Sequence, residues 1–520
     1  MKGIHIHTYL RSQAIRAFAG AIATVLCMIA ANSCFKDLGN YDYTDINQAV
    51  IGDAGFEEEY NVRLNEDILR IVPEISFTLD PEGKGDYRYE WVAVGQNFLR
   101  GQRFTIGTER DLDYPVRLAA ETYILYLKVT DPATDMVFSK SVGLNVMSLY
   151  TKGWLLAGED SEGRGQIDMI SFSGTTLFLK NALTLQEGLQ LSPVNLVWID
   201  NDEYTSEDRL YAATASGTYK FDRESFTGSP YTDLKYSFAL APDGSGIMTD
   251  CQKISDKRHV IIVDGRAYEV SSEGGMIGNT FSYTESGSEF EAAPQMICNH
   301  RQIDVRTFGF YDMTGRRFGY ISGMTVKNTV MPGDGENDLW SWNTATEFSS
   351  GLDFVAAIES FFSNGQTTVV MQDPENGDRW MYCITAERSG SLSKGIRCKA
   401  DMSIATDFDK AGNFIITTNH GYMLYSAGNR LYGYNFRKSP QECTLLKEFS
   451  APVTCMKADL VTDEQYQDNF YVATYDDAVP ESGVLYKFHV TDSPDKIGIE
   501  QQECWEKGFL KIHSICYKEF

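Results

Sequence analysis

Apolar residues in this chain recur mostly with a period of two, in short runs broken by Gly, Asp, Asn and Pro. In Tyr123-Ile-Leu-Tyr-Leu-Lys-Val129 the residues at 123, 125, 127 and 129 share one face of an extended strand. Similar segments cover 60–64, 68–77, 87–94, 103–106, 123–130 and 137–146, and Asp131-Pro-Ala-Thr-Asp135 is a turn between the last two. Residues 34–148 are therefore predicted to form one Ig-like β-sandwich, with Trp91 as its buried core tryptophan.

Beyond residue 149 the pattern becomes a repeat. An apolar strand, a Gly/Asp turn and a strand ending in aromatics recur at 154–172, 210–221, 259–270, 308–320, 369–382, 423–436 and 470–488. Starts lie between 47 and 61 residues apart, the spacing of four-stranded propeller blades. A further segment precedes most hairpins and would be the innermost strand of each blade: 192–199, 246–254, 293–298, 353–358, 402–407 and 452–458. The hairpin at Trp154 has no such partner, while 512–518 has no hairpin after it. The C-terminal strand is therefore expected to complete the first blade and close the ring, which removes exposed sheet edges. The fold class is all-β: a sandwich followed by a seven-bladed β-propeller over 149–520, with degenerate units that leave six to eight blades open.

The N-terminus has a different character. Lys2, Arg11 and Arg16 precede an apolar run over 17–31, then Ser33 and Cys34. This is the layout of a secretory signal over residues 1–33, with Cys34 placed to take a diacylglycerol and become the lipidated first residue of the mature chain. The apolar run is short for a membrane span, and no second one is long enough. The formal charge of -26 argues against nucleic acid or anionic lipid as partner. Of the ten cysteines, eight remain after Cys27 and Cys34, all beyond residue 250. Cys251, Cys298, Cys455 and Cys516 fall on the proposed inner strands, where free Cys packs as a small apolar residue. Cys383 and Cys398, on consecutive strands of one blade, are the best candidates for a bridge if any forms.

The segment Ser33-Cys-Phe-Lys-Asp-Leu-Gly-Asn-Tyr-Asp-Tyr43, the stretch Asp45-Ile-Asn-Gln-Ala-Val-Ile51, the strand Tyr87-Arg-Tyr-Glu-Trp91 and Leu127-Lys-Val-Thr-Asp131 resemble the PKD-like lipoproteins of Bacteroidota. The Trp-Asp-Phe-Gly-Asp-Gly segment of better-known PKD repeats is absent, so the resemblance is one of architecture and covers about the first 150 residues. It implies an accessory lipoprotein of the outer-membrane surface, encoded beside a TonB-dependent SusC/SusD-type importer. Lys36-Asp37, just after Cys34, is similar to the charged signal that sends such lipoproteins to the cell exterior.

Local catalytic signatures do not appear. The five histidines beyond the signal, at 259, 300, 420, 489 and 513, form no His-Glu-x-x-His and no ligand spacing, and there is no nucleophile elbow, Walker loop or dinucleotide fingerprint. No cofactor is implied. The acidic loops 334–338 and 373–378 offer oxygen ligands for structural calcium, without EF-hand spacing, and the second also fits a plain hairpin turn. The longest gap between units holds Asp334, Asp338, Trp340 and Trp342. Two tryptophans two apart share a face in an extended chain and, beside carboxylates, suit sugar rings or peptide side chains. These four residues are the sequence-based candidates for ligand contact, against the alternative that the tryptophans pack between blades. The readings that follow are a non-catalytic subunit binding peptide or glycan for an importer, a propeller enzyme acting on glycans, and a structural assembly subunit. Acids converging at the channel mouth would favour the enzyme.

Overall fold

The computed structural model describes residues 45–519, apart from 98, 173–175, 201–208, 241, 256–257, 272–275, 283–286, 288, 300–306, 323–324, 329–349, 388–389, 463–467 and 492–495. Among the described residues regular structure is almost wholly β, with four short 3-10 turns. The chain divides into two compact units. One holds the described residues up to 54 with 74–88 and 129–138; the other holds 55–73, 89–128 and everything from 139 on.

In the first unit Ala49–Ile51 pairs antiparallel with Ile75–Phe77, and Phe77 stacks on Tyr87 at 3.6 Å between centroids. The sandwich's larger sheet runs in the order Glu59–Arg63, Met136–Met147, Glu121–Asp131, Arg88–Gly95, Arg103–Gly107. In the second unit Trp91 is fully buried, and its indole N–H donates to the Glu109 carbonyl at 3.0 Å. The alternation read at Tyr123, Leu125, Leu127 and Val129 is realised, since all four are wholly buried. One expected strand is two. Ile68–Ile71 pairs with Leu112–Pro115, whereas Ile75–Phe77 belongs to the other pair. Pro73 lies at the break and has no N–H to continue a ladder.

The rest of the second unit is a β-propeller. Blade 1 is Lys152–Glu159, Gly165–Ser171 and Leu177–Leu179, completed on its inner edge by Lys511–Glu519; blade 2 is Val194–Ile199, Leu210–Thr214 and Gly217–Phe221. Blade 3 is Met248–Ser255, Arg258–Val263, Arg266–Ser271 and Ile277–Thr280; blade 4 is Thr307–Asp312, Arg317–Ser322 and Thr325–Asn328. Blade 5 is Asp353–Ile358, Thr367–Gln372, Arg379–Glu387 and Ser391–Asp401. Blade 6 is Asn413–Ile416, Met423–Ala427, Arg430–Asn435 and Glu442–Glu448; blade 7 is Val453–Ala458, Asn469–Thr474, Gly483–Thr491 and Gly498–Phe509.

A blade is covered on both faces, so its middle strands are apolar on both sides. Alternate residues serve opposite neighbours: Leu155 and Ala157 pack towards blade 2, Trp154 and Leu156 towards blade 7. Each of the seven junctions has its own apolar cluster, and the series returns to its start. The closing strand therefore lies where the leftover inner segment indicated. Its register sets Leu155 opposite Cys516 and Trp154 opposite Tyr517. It is also tied to blade 2, through Val197 N to Ser514 Oγ at 3.3 Å and Arg223 Nη2 to the Glu519 carbonyl at 3.0 Å.

Two inner edges depart from expectation. In blade 6 the inner strand is Asn413–Ile416, not 402–407. Met402, Ala405 and Phe408 are buried three residues apart while Ile404 is exposed, which is the spacing of a 3-10 turn. In blade 4 residues 293–298 follow the inner edge without forming a regular strand. Ile297 and Gly309 exchange backbone hydrogen bonds and Ala293 N donates to the Tyr311 carbonyl, but Pro294 interrupts the ladder. A polar pin joins blades 2 and 3: Arg209 Nη1 meets His259 Nδ1 at 2.6 Å, which puts the imidazole proton on Nε2, 3.3 Å from Asp200 Oδ2. Burial keeps His259 below its ordinary pKa.

Candidate functional site

The inner strands carry a repeated irregularity. Each of four has a β-bulge near its start, between Val194 and Leu196, Met248 and Asp250, Phe354 and Ala356, and Val453 and Cys455. A bulge shifts the pleat by one residue and re-aims the side chains that follow. Side chains from these four strands, with others from blades 4 and 6, converge on a cavity of about 220 Å³. Leu196, Met296, Ile358, Phe414, Ile415 and Met456 supply apolar wall; Thr249, Asp250, Gln295, Glu359 and Lys457 supply the polar groups.

The polar groups form one network. Gln252, nearly buried, donates its amide to Asp250 Oδ1 at 2.9 Å and to Glu359 Oε1 at 2.8 Å, so one side chain bridges carboxylates from blades 3 and 5. Met296 N donates to Asp250 Oδ2 at 2.6 Å, and Ala357 N to Gln295 Oε1 at 3.0 Å. Lys457 Nζ lies 4.0 Å from Glu359 Oε2. Thr249 Oγ1 is buried and has no hydrogen-bond partner among the described residues.

Protein surrounds these groups although the cavity wets them in part. Burial, reinforced by the charge of Glu359, pushes the Asp250 carboxyl up to about 7. Burial works against the Lys457 ammonium, yet the charges around it, Glu359 foremost, outweigh burial and hold the pKa above its ordinary value. The charge of Glu359 contributes to both shifts. The cysteines on the inner edges, Cys251, Cys298, Cys455 and Cys516, are free thiols whose pKa values burial raises, Cys455 to about 12, so they are protonated packing groups. Cys383 is buried in the core between blades 5 and 6, and the side chain of Cys398 lies outside the described residues.

Of the sequence candidates, Cys34, Asp334, Asp338, Trp340 and Trp342 all lie outside the described residues. The loop at 373–378 is a hairpin turn joining two strands of blade 5. Its Asp373 and Asn376 side chains accept from Glu375 N and Asp378 N at 2.8 Å. Among the described residues no three His, Cys, Asp or Glu side chains come together as a metal site. No helix among them is long and apolar enough to cross a membrane. Asp250, Gln252, Gln295, Glu359 and Lys457 were not singled out from sequence. The available signal was a charged or amide residue within or just after four of the expected inner segments.

Fold and site define an all-β protein with a PKD/Ig-like sandwich and a propeller whose channel holds a small cavity. The chain matches the PKD-like family over residues 34–192, a stretch that runs past the sandwich through the first three strands of blade 1. No curated protein matches it. Among solved structures it is similar to a quinonprotein alcohol dehydrogenase-like protein of Bacteroides thetaiotaomicron, at 11% identity and a TM-score of 0.39, covering 88% of this chain and 97% of that one. It is also similar to the extracellular domain of a one component system of B. thetaiotaomicron, at 9% identity and a TM-score of 0.34, covering 89% of this chain and 68% of the other. A protein of unknown function from Bacteroides caccae matches at 10% identity and a TM-score of 0.32, over 71% of this chain and 99% of that one. Likenesses at this level assign no role to the chain.

Proposed function

We propose that the chain is an outer-membrane lipoprotein, anchored through Cys34 and facing the cell exterior, that binds peptide or glycan as a non-catalytic accessory subunit of a TonB-dependent SusC/SusD-type importer. The observation that carries this reading is the channel cavity. It is concave and sets apolar side chains beside polar groups brought together from separate blades, the means by which a pocket orients a small ligand. The match to the PKD-like family supports the lipoprotein part, and the acidic chain suits a tethered protein that must stay off its own anionic membrane.

Affinity purification from detergent-solubilised outer membrane tests it. A SusC/SusD-type pair is expected to co-purify with the native protein, and a Cys34→Ser variant is expected to leave the membrane fraction. Recovery of the protein alone, from cells grown on the inducing nutrient, contradicts the importer role.

One observation favours a second reading, a propeller enzyme acting on glycans. Asp250 and Glu359 share a bridging amide, and Asp250 retains its proton near neutrality as a general acid must. Turnover of an oligosaccharide that Asp250→Asn abolishes while binding persists would establish that alternative.

A further inference from the structure

We infer that the channel cavity takes a primary ammonium group on a compact apolar body, with the ammonium seated between Asp250 and Glu359. The inference deepens the binding reading above and rests on it.

Three features point to this chemistry. The two carboxyl groups come from different blades and are held together by one buried amide, Gln252. The Gln252 N–H groups are spent on that bridge, which leaves carboxylate oxygen as the acceptor facing a ligand. Among the described residues lining the cavity the cation is Lys457, which stands 4.0 Å from Glu359 rather than beside Asp250. A second cation is therefore the group that lets both carboxyls ionise together. An ammonium supplies that charge with three N–H donors, and Thr249 Oγ1, buried at the wall with no hydrogen-bond partner among the described residues, can accept one of them. The remaining wall is apolar and rich in soft side chains: Phe414 and the thioethers of Met296 and Met456 suit an aliphatic or aromatic body. A carboxylate ligand is disfavoured, because it would meet the carboxyl groups of Asp250 and Glu359.

The same arrangement ties binding to pH. Among the described residues the groups facing Asp250 are Glu359 from blade 5, Lys457 from blade 7, Gln252 and the Cys251 thiol on its own strand, and the Cys298 thiol and Met296 N–H from blade 4. Asp250 changes charge near neutrality. Below pH 7 it carries a proton that an incoming ammonium must displace; above pH 7 it is already a carboxylate. A ligand whose own charge is constant should bind about tenfold more tightly at pH 8 than at pH 6.

The test is calorimetric titration of the purified full chain with 3-phenylpropylamine and with the neutral 3-phenylpropanol at both pH values. The amine is expected to bind more tightly than the alcohol, with the tenfold pH dependence, while the alcohol shows none. Asp250→Asn should flatten the pH dependence. Glu359→Gln should weaken the amine and spare the alcohol, which keeps the test decisive if one variant folds poorly. A peptide source and a free-amine source share this chemistry. Leucyl-leucinamide binding at pH 7 that N-acetylation abolishes identifies the peptide terminus, and binding of 3-phenylpropylamine without the dipeptide identifies a free amine. Equal affinity for amine and alcohol, or an amine affinity flat with pH, overturns the inference. Binding of neutral oligosaccharides that Glu359→Gln abolishes also overturns the ligand class and leaves the channel as the binding site. If the folded protein binds none of these probes, the channel-binding reading falls as well.

Discussion

Deleting residues 511–520 is expected to leave a chain that cannot hold the folded propeller. The deleted strand carries Ile512, Ile515 and Tyr517, all buried at the junction of blades 7 and 1. At about 2 kcal/mol for each buried side chain, their loss alone approaches the whole stability of an ordinary domain. The deletion also strips the inner edge of Lys152–Glu159 of its ladder and exposes a flat apolar edge. It removes the carbonyl that Arg223 holds and the carboxylate of Glu519, 2.6 Å from Lys152 Nζ. Limited proteolysis and far-ultraviolet circular dichroism read the result. The truncated chain should be degraded quickly or aggregate. A truncated protein with the parent's protease resistance would mean that the ring is not closed by this strand.

The second large effect is expected at Trp154. Its indole is almost completely buried and lies 4.6 Å from the Tyr471 ring of blade 7 and 5.0 Å from the Tyr517 ring of the closing strand. It thus fills the space where the first, last and closing strands meet. Trp154→Ala would leave a cavity with rigid walls and cost about 3–5 kcal/mol. Urea unfolding should show a lower midpoint at similar slope. Trp154→Phe, which retains a ring, should lose much less. An alanine variant with the parent's midpoint would contradict the packing.

These two sites explain why so much of the fold was legible. Blade hairpins are local: Leu210–Thr214 and Gly217–Phe221 are joined by a two-residue turn, so the strand–turn–strand pattern survives in sequence even where the repeats share few residues. Ring closure was legible by subtraction, because one inner segment lacked a hairpin and one hairpin lacked an inner segment. Misreadings arose where a short apolar run has two solutions. Residues 402–407 have the composition of an inner strand, but burial every third residue makes them a turn. The run 68–77 looked continuous because apolar character does not register that Pro73 ends a ladder. The candidate site was hardly legible. Asp250, Glu359 and Lys457 are about a hundred residues apart from one to the next, and no local motif links them. Only the shared bulge on the inner strands and the closure of the ring bring them to one cavity.

Closure of the ring by the C-terminal strand is the claim on which both the fold and the channel depend. Leu155 and Cys516 are directly opposed across the closing pair and pack in the same cluster. Opposed residues of an antiparallel pair are close enough to bridge. The measurement is oxidation of a Leu155→Cys variant followed by peptide mapping. The account expects a single disulfide joining residues 155 and 516. A Cys516 thiol that stays open to alkylation, or that pairs with a different cysteine, would contradict it.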